Sequence, residues 1–152
     1  MQIGTKKNFF AAVSMLVLVA GSYGYMEYTS GSKDLQYTKA DHKFIAKDLI
    51  TEFEGNEKAA NEKFINKVIA VNGSVKDVIE DGDNFYTVML GDAASTSSVR
   101  CSMDANHQSA AALLQLRRNV IIKGICTGYN ADDLLGSDVI LNRCIIEEKG
   151  SE

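Results

Sequence analysis

From Lys67 to Leu90 the chain reads KVIAVNGSVKDVIEDGDNFYTVML: apolar and polar residues alternate, break at an acidic turn, and alternate again. Period-two patterning of this length specifies two antiparallel strands, each with one buried face. Ile69, Val71, Gly73 and Val75 share the inward face of the first strand, with Ile79 beyond. Glu80-Asp81-Gly82-Asp83-Asn84 makes the turn. In the second strand Tyr86, Val88 and Leu90 take one face, and Phe85, Thr87 and Met89 the other. Asn72-Gly73 also matches a two-residue hairpin turn, but only Val68 to Val71 would precede it, and the alternation runs straight through. A glycine inside a strand instead marks a bulge or a sharp coil, which small barrels require.

Three more strand-like runs follow, with one short helix among them. Gly91 to Ser98 is a loop of small residues leading into a third strand, Val99 to Met103. Asn106 is placed to cap a helix from His107 to about Leu116, with Arg117-Arg118 where cations complement the negative helix end. A fourth strand spans Asn119 to Thr127, with Val120, Ile122, Gly124 and Cys126 on one face. Asn130 to Gly136 is an acidic loop, and Ser137 to Ile146 a fifth strand. Ahead of the hairpin, a helix is expected from Thr38, with Asp41 in its first turn and an apolar stripe of Ile45, Leu49 and Phe53 widened by Ala46 and Ile50. Gly55 ends or bends it, and Asn56 caps a second helix toward Phe64.

The N-terminus has a different character. Lys6-Lys7 precede Phe9 to Met26 (FFAAVSMLVLVAGSYGYM), an apolar run in the range of about 17–25 residues that spans a bilayer. Its weak small-residue site at Ala20-Gly21-Ser22 favours an uncleaved signal-anchor over a cleaved secretory signal, and Tyr23, Tyr25 and Tyr28 suit the water–lipid boundary. Lys6-Lys7 then stay inside, and the globular part lies on the periplasmic or extracytoplasmic side, secreted if the signal is cleaved. The expected organisation is a signal-anchor over 1–28, a linker over 29–36, a helical extension over 37–65, a barrel over 66–147 and a charged tail over 148–152. From Gly31 onward there are 14 basic and 19 acidic residues, an excess of acid that repels phosphate backbones unless one face is locally basic.

Strand, strand, strand, helix, strand, strand is the order of the OB-fold, a five-stranded Greek-key barrel. Asn56-Glu57 with Ala60 and Asn61, then Phe64, Lys67-Val68-Ile69 and Val71-x-Gly73-x-Val75 begin a pattern. It continues through Val99-x-Cys101, Val120-x-Ile122-x-Gly124-x-Cys126-x-Gly128 and Leu141-x-x-Cys144. Over Ala46 to Ile146 this pattern resembles bacterial exported OB-fold proteins related to the tRNA-anticodon-binding type, many of them lipoproteins. The resemblance implies nucleic-acid-binding relatives and carries no catalytic set. The lipidated cysteine of the lipoprotein members has no counterpart here, so the N-terminal helix stands in as the anchor.

No motif for chemistry stands out. His42 and His107 lie far apart without metal-ligand spacing and read as surface histidines. Ser95 to Ser98 lack a nucleophile elbow. Asp77, Glu80, Asp81 and Asp83 do not follow the order of a calcium loop and read as solvated turn acids. No enzyme activity, cofactor or metal is expected. The ligand-binding face of an OB barrel is the outside of its second and third strands, which here offers Phe85, Thr87, Met89 and Arg100, with Tyr86 if the register slips by one. Base stacking on one aromatic is worth roughly 1–3 kcal/mol and needs a basic groove beside it, whereas the flanking loops hold Glu80, Asp81, Asp83, Asp132 and Asp133. The expected function is a non-catalytic, membrane-anchored binding or scaffolding module for a protein or envelope ligand. Nucleic acid is not the expected partner, and single-stranded nucleic-acid or oligosaccharide binding is the second reading. Cys101, Cys126 and Cys144 read as inward-facing. Either all three are reduced, or one bridge joins Cys144, on the strand between the other two, to Cys101 or Cys126.

Overall fold

The structure, a computed structural model, describes residues 34–82, 84–132 and 134–147. The expected anchor at Phe9–Met26, residues 29–33 of the linker and the tail lie outside the described residues. Among those described, no helix is long and apolar enough to cross a membrane.

A 3-10 turn at Leu35–Tyr37 leads into strand β1 (His42–Ile45), helices α1 (Ala46–Gly55) and α2 (Glu57–Phe64), and the hairpin β2 (Val68–Asp81) and β3 (Phe85–Leu90). Strand β4 (Ser98–Met103), helix α3 (Gln108–Ala112), and strands β5 (Asn119–Asn130) and β6 (Asp138–Glu147) complete it. The sheet order is β1-β2-β3-β4-β6-β5, and β5 pairs back onto β2, so β2 to β6 close into a barrel with β4 and β6 parallel. The architecture is mainly β, as expected, with six strands rather than five.

The sixth strand corrects the helix expected from Thr38. Residues His42 to Ile45 run parallel to β2, and the helix begins only at Ala46. The cause is an unfilled edge. β3 pairs with β2 only from Val75 onward, so residues 69–72 of β2 need another partner, and β1 supplies it. Asp41 starts the pairing: its N–H donates to the Val68 carbonyl (2.8 Å) and its Oδ2 accepts the Val68 N–H (2.9 Å). Ile45, expected in the helical stripe, is exposed on the strand, while Ala46, Leu49, Ile50 and Phe53 are buried as expected. Asn56 does cap α2, its side chain accepting the Ala59 N–H at 3.0 Å.

Inside, Ile69, Val71 and Val75 are fully buried with Val88, Leu90, Val99, Ile122, Val139 and Leu141. Phe53 of α1 plugs one end, stacked on Tyr129 with ring centroids 5.0 Å apart, and Phe64 of α2 lies 5.3 Å edge-on to Phe44. Gly73 is no bulge. A Cβ there would lie 3.0 Å from Ala46 Cβ and 3.1 Å from Leu90 Cβ, so the missing side chain lets α1 enter against the sheet. The bulge sits two residues on, where pairing shifts from Val75 opposite Leu90 to Asp77 opposite Met89. Lys76 is the extra residue, and beyond it the phase reverses. Val78 rather than Ile79 packs against the core. An unbroken alternation would have buried the Asp77 carboxylate, at a large desolvation cost; the bulge turns it to solvent.

α3 is shorter than expected. It starts after His107, without a side-chain cap from Asn106, and ends at Ala112. Leu114 packs against the core, while Leu113 and Leu116 are exposed.

Candidate binding face

The outer face of β2, β3 and β4 is laid out in cross-strand rows. Asp77, Met89 and Arg100 form one row, Ile79, Thr87 and Ser102 the next, and Asp81 and Phe85 the last before the turn. Ile140 of β6 continues the Arg100 row. Phe85 is 53% exposed, and Thr87, Met89, Ile79 and Ile140 are half-buried. The structure thus brings Phe85, Thr87, Met89 and Arg100 onto one surface. Tyr86 lies on the other side, against the core. Its phenol is pushed up, first by loss of hydration and then by the Glu80 carboxylate opposite it.

Two side chains outside the sequence pattern shape this face. Gln108 of α3 spans the end of the β3–β4 ladder. Its Oε1 accepts the Tyr86 N–H at 2.7 Å, and its Nε2 donates to the carbonyls of Met103 (2.9 Å) and Asp104 (3.1 Å). Lys76 points its Nζ into the loop after β3, donating to the carbonyls of Ser95 (2.5 Å), Thr96 (3.3 Å) and Ser97 (3.4 Å). The same loop is tied to the one before β6, since Ser97 Oγ accepts the Ser137 N–H at 3.1 Å and donates to Glu54 Oε1 at 3.1 Å. No local signal marks either role, because the Gln108 bond to Tyr86 and the Lys76 bonds to the loop each span about twenty residues.

The face therefore shows two acids, Asp77 and Asp81, and one cation, Arg100, which has no ion-pair partner among the described residues. Its remaining surface is apolar or neutral.

The three cysteines are free and buried. Cys144 lies against Cys101, the two thiols within hydrogen-bonding reach, and burial pushes the Cys144 thiol well up. Burial also pushes the Cys126 thiol up to about 11. Cys126 pairs across the ladder with Leu141 rather than with Cys144.

A closed barrel of this strand order, with its outer β3–β4 face open, defines an OB-fold binding domain. The tRNA_anti-like family model matches residues 1–145, and the chain belongs to that family. Among solved structures it is similar to a Klebsiella pneumoniae protein provisionally named a nucleic acid-binding lipoprotein, at 13% identity over 69% of this chain and 91% of that one, with a TM-score of 0.54. Looser likenesses are an OBody bound to hen egg-white lysozyme (20% identity, 57% of this chain and 100% of that one, TM-score 0.38) and asparaginyl-tRNA synthetase of Pyrococcus horikoshii (18%, 59% and 22%, TM-score 0.38). No curated protein sequence matches.

Proposed function

We propose that this protein is a non-catalytic binding or scaffolding module of the cell envelope, held to the membrane by Phe9–Met26, whose β2–β3–β4 face takes a protein ligand. The charge of that face carries the reading. A groove that tracks a phosphate backbone needs several cations, whereas here Asp77 and Asp81 outnumber Arg100 around Ile79, Phe85 and Met89. An exposed aromatic, a half-buried Met and an Arg with no ion-pair partner among the described residues are of the residue types enriched at protein interfaces. Lys6-Lys7 ahead of the apolar run support an anchored, outward-facing domain, as does the provisional lipoprotein name of the Klebsiella relative. That name and the family also favour a second reading, a single-stranded nucleic-acid ligand on the same face.

A photo-crosslinker at Thr87 of the full chain, in membranes, tests the first reading. One discrete protein adduct is expected, lost on Arg100→Glu and absent with the crosslinker at Lys58. Adducts equal at both positions refute it. Salt-sensitive binding of a fluorescent single-stranded oligonucleotide, abolished by Phe85→Ala, would establish the second reading instead. Carbonate extraction should leave the protein in the membrane fraction, with its C-terminal part open to protease only from outside.

A further inference from the structure

Among the described residues, strand β1 is paired on one edge only. Successive carbonyls of β2 turn to opposite sides. That of Lys67 accepts the Cys126 N–H of β5 at 3.0 Å, and that of Val68 accepts the Asp41 N–H at 2.8 Å. Even-numbered residues of β2 therefore offer their backbone groups to β1. His42 stands opposite Ile69 and Phe44 opposite Val71. In a parallel ladder a bonded residue reaches the groups one position either side of its partner, so His42 and Phe44 bond to Val68, Ala70 and Asn72. Lys43 and Ile45 turn their backbone groups the other way. No described residue bonds to the Lys43 N–H, the Lys43 carbonyl or the Ile45 N–H.

We propose that this free edge of β1 is a second docking site, and that it takes an extended peptide added as a further strand, with an acidic side chain opposite Lys43 and an apolar one opposite Ile45. The site uses other residues than the β2–β3–β4 face and does not depend on what binds there.

The chemistry of the edge selects its occupant. Unpaired N–H and C=O groups spaced along a strand are a template that another extended backbone satisfies. Side chains then choose among backbones. His42 and Phe44 turn inward, each with its ring centroid 5.3 Å from that of Phe64. Lys43 and Ile45 share the outer side, where both are exposed, Ile45 at 57%. Beside them runs a shallow groove of about 370 Å³, also lined by Ala70, Ile121 and Glu147. Glu147 is held by Lys123 at 2.9 Å, whereas Lys43 has no ion-pair partner among the described residues. A strand added here sets its side chains directly opposite Lys43 and Ile45, where opposite charges and apolar pairs are the favourable matches.

A second copy of the chain does not supply them. Two β1 edges paired antiparallel about Lys43 set lysine against lysine, and like charges directly opposite are destabilising. Pairing about Phe44 needs the Ile45 carbonyl, and Ile45 is the N-cap of α1, whose carbonyl accepts the first bond of the helix. A lysine on an edge is itself a device against self-association. The matching partner is one that brings the acid.

Amide NMR of full-length, isotope-labelled protein in nonionic detergent tests this. The probe is a valine–threonine–glutamate–threonine–valine peptide, added up to about 1 mM. Its acid has an apolar residue two positions away on either side, so it suits both strand directions. The Lys43 and Ile45 amide protons should shift downfield and saturate, as they gain acceptors. A peptide with lysine in place of the glutamate should bind at least about tenfold more weakly, and Lys43→Glu should invert that preference. Methylating the peptide nitrogens of the glutamate and the residue after it removes the donor to the Lys43 carbonyl in either direction, and should also cost at least about tenfold. Lys43 is exposed, and unchanged amide signals outside β1 show that Lys43→Glu still folds. Absence of saturable shifts, shifts centred away from Lys43 and Ile45, full binding by the methylated peptide, or an unchanged preference in Lys43→Glu would each overturn the proposal. So would wild-type protein that pairs with itself through this edge.

Discussion

Replacing Gly124 by alanine opposes two effects whose sizes differ enough to give a sign. In a strand, glycine is a poorer residue than alanine by roughly 0.5–1 kcal/mol, because it gives up more backbone freedom on folding. Gly124 has no positive φ, so this term favours the substitution. Against it stands Cys144. A Cβ on residue 124 would lie 2.5 Å from Cys144 Sγ, 3.1 Å from Leu141 Cβ and 3.3 Å from the Asn142 carbonyl oxygen. The sulfur has one side-chain torsion and is fully buried, so it cannot swing to solvent and must displace Leu141 or the strand. Overpacking of this kind costs typically 1–3 kcal/mol, occasionally more, and backbone as well as sulfur is crowded here. We expect a net loss of about 1–2 kcal/mol, which for a domain near 100 residues lowers Tm by roughly 4–8 °C per kcal/mol. Thermal unfolding by circular dichroism, with reductant present, measures it. Cys144→Ala in the same molecule opens room for the new methyl, so the double variant should be more stable than the sum of the singles by about 1 kcal/mol or more. Gly55→Ala is the control, because nothing lies within 4 Å of a Cβ there, and it should be neutral or stabilising. A Gly124→Ala protein that melts at or above the wild-type temperature, or strict additivity with Cys144→Ala, would refute the packing argument.

Three further outcomes follow from the cysteines and the carboxylates. Burial holds the Cys126 thiol up at about 11 and the Cys144 thiol well above its usual range, so folded, reduced protein should not react with a thiol reagent at pH 8 until denaturant is added. Where the protein has been oxidised, peptide mapping should find Cys144 joined to Cys101, its neighbour, and a Cys144–Cys126 bridge would contradict the register. Asp34 is held below its usual 3.8 chiefly by the Gln36 N–H, and Asp132 below 3.8 by those of Leu135 and Leu134. A depressed carboxylate contributes stability above its unfolded pKa and loses it as pH falls through the folded one. Urea midpoints should therefore drop below about pH 4, and Asp34→Asn with Asp132→Asn should flatten that fall; an unchanged acid limb would show that other groups set it.

What was legible in the sequence was whatever depends on period two alone. Val71, Val88, Val99 and Ile122 are buried where alternation put them, and Phe85, Thr87, Met89 and Arg100 point outward for the same reason. The misses share one cause, since each depends on what a distant segment leaves unfilled. Ile45 falls in the helical stripe with Leu49 and Phe53, yet the vacant edge of β2 takes His42 to Ile45 as a strand. Gln108 is placed by the ladder it terminates. The bulge at Lys76 has the largest consequence for function. Counting from Val75 opposite Leu90, an unbulged β2 would set Lys76 opposite Met89, in one row with Arg100, making the centre of the face basic and hospitable to phosphate. The inserted position sends that ammonium into the loop carbonyls of Ser95 to Ser97 and brings Asp77 into the row instead. The driving force is internal: without the shift, Asp77 would stand opposite Val88 and face the core beside Cys101. A single extra residue, required to keep one carboxylate out of the barrel, thus also sets the sign of charge on the surface where an OB-fold binds its ligand.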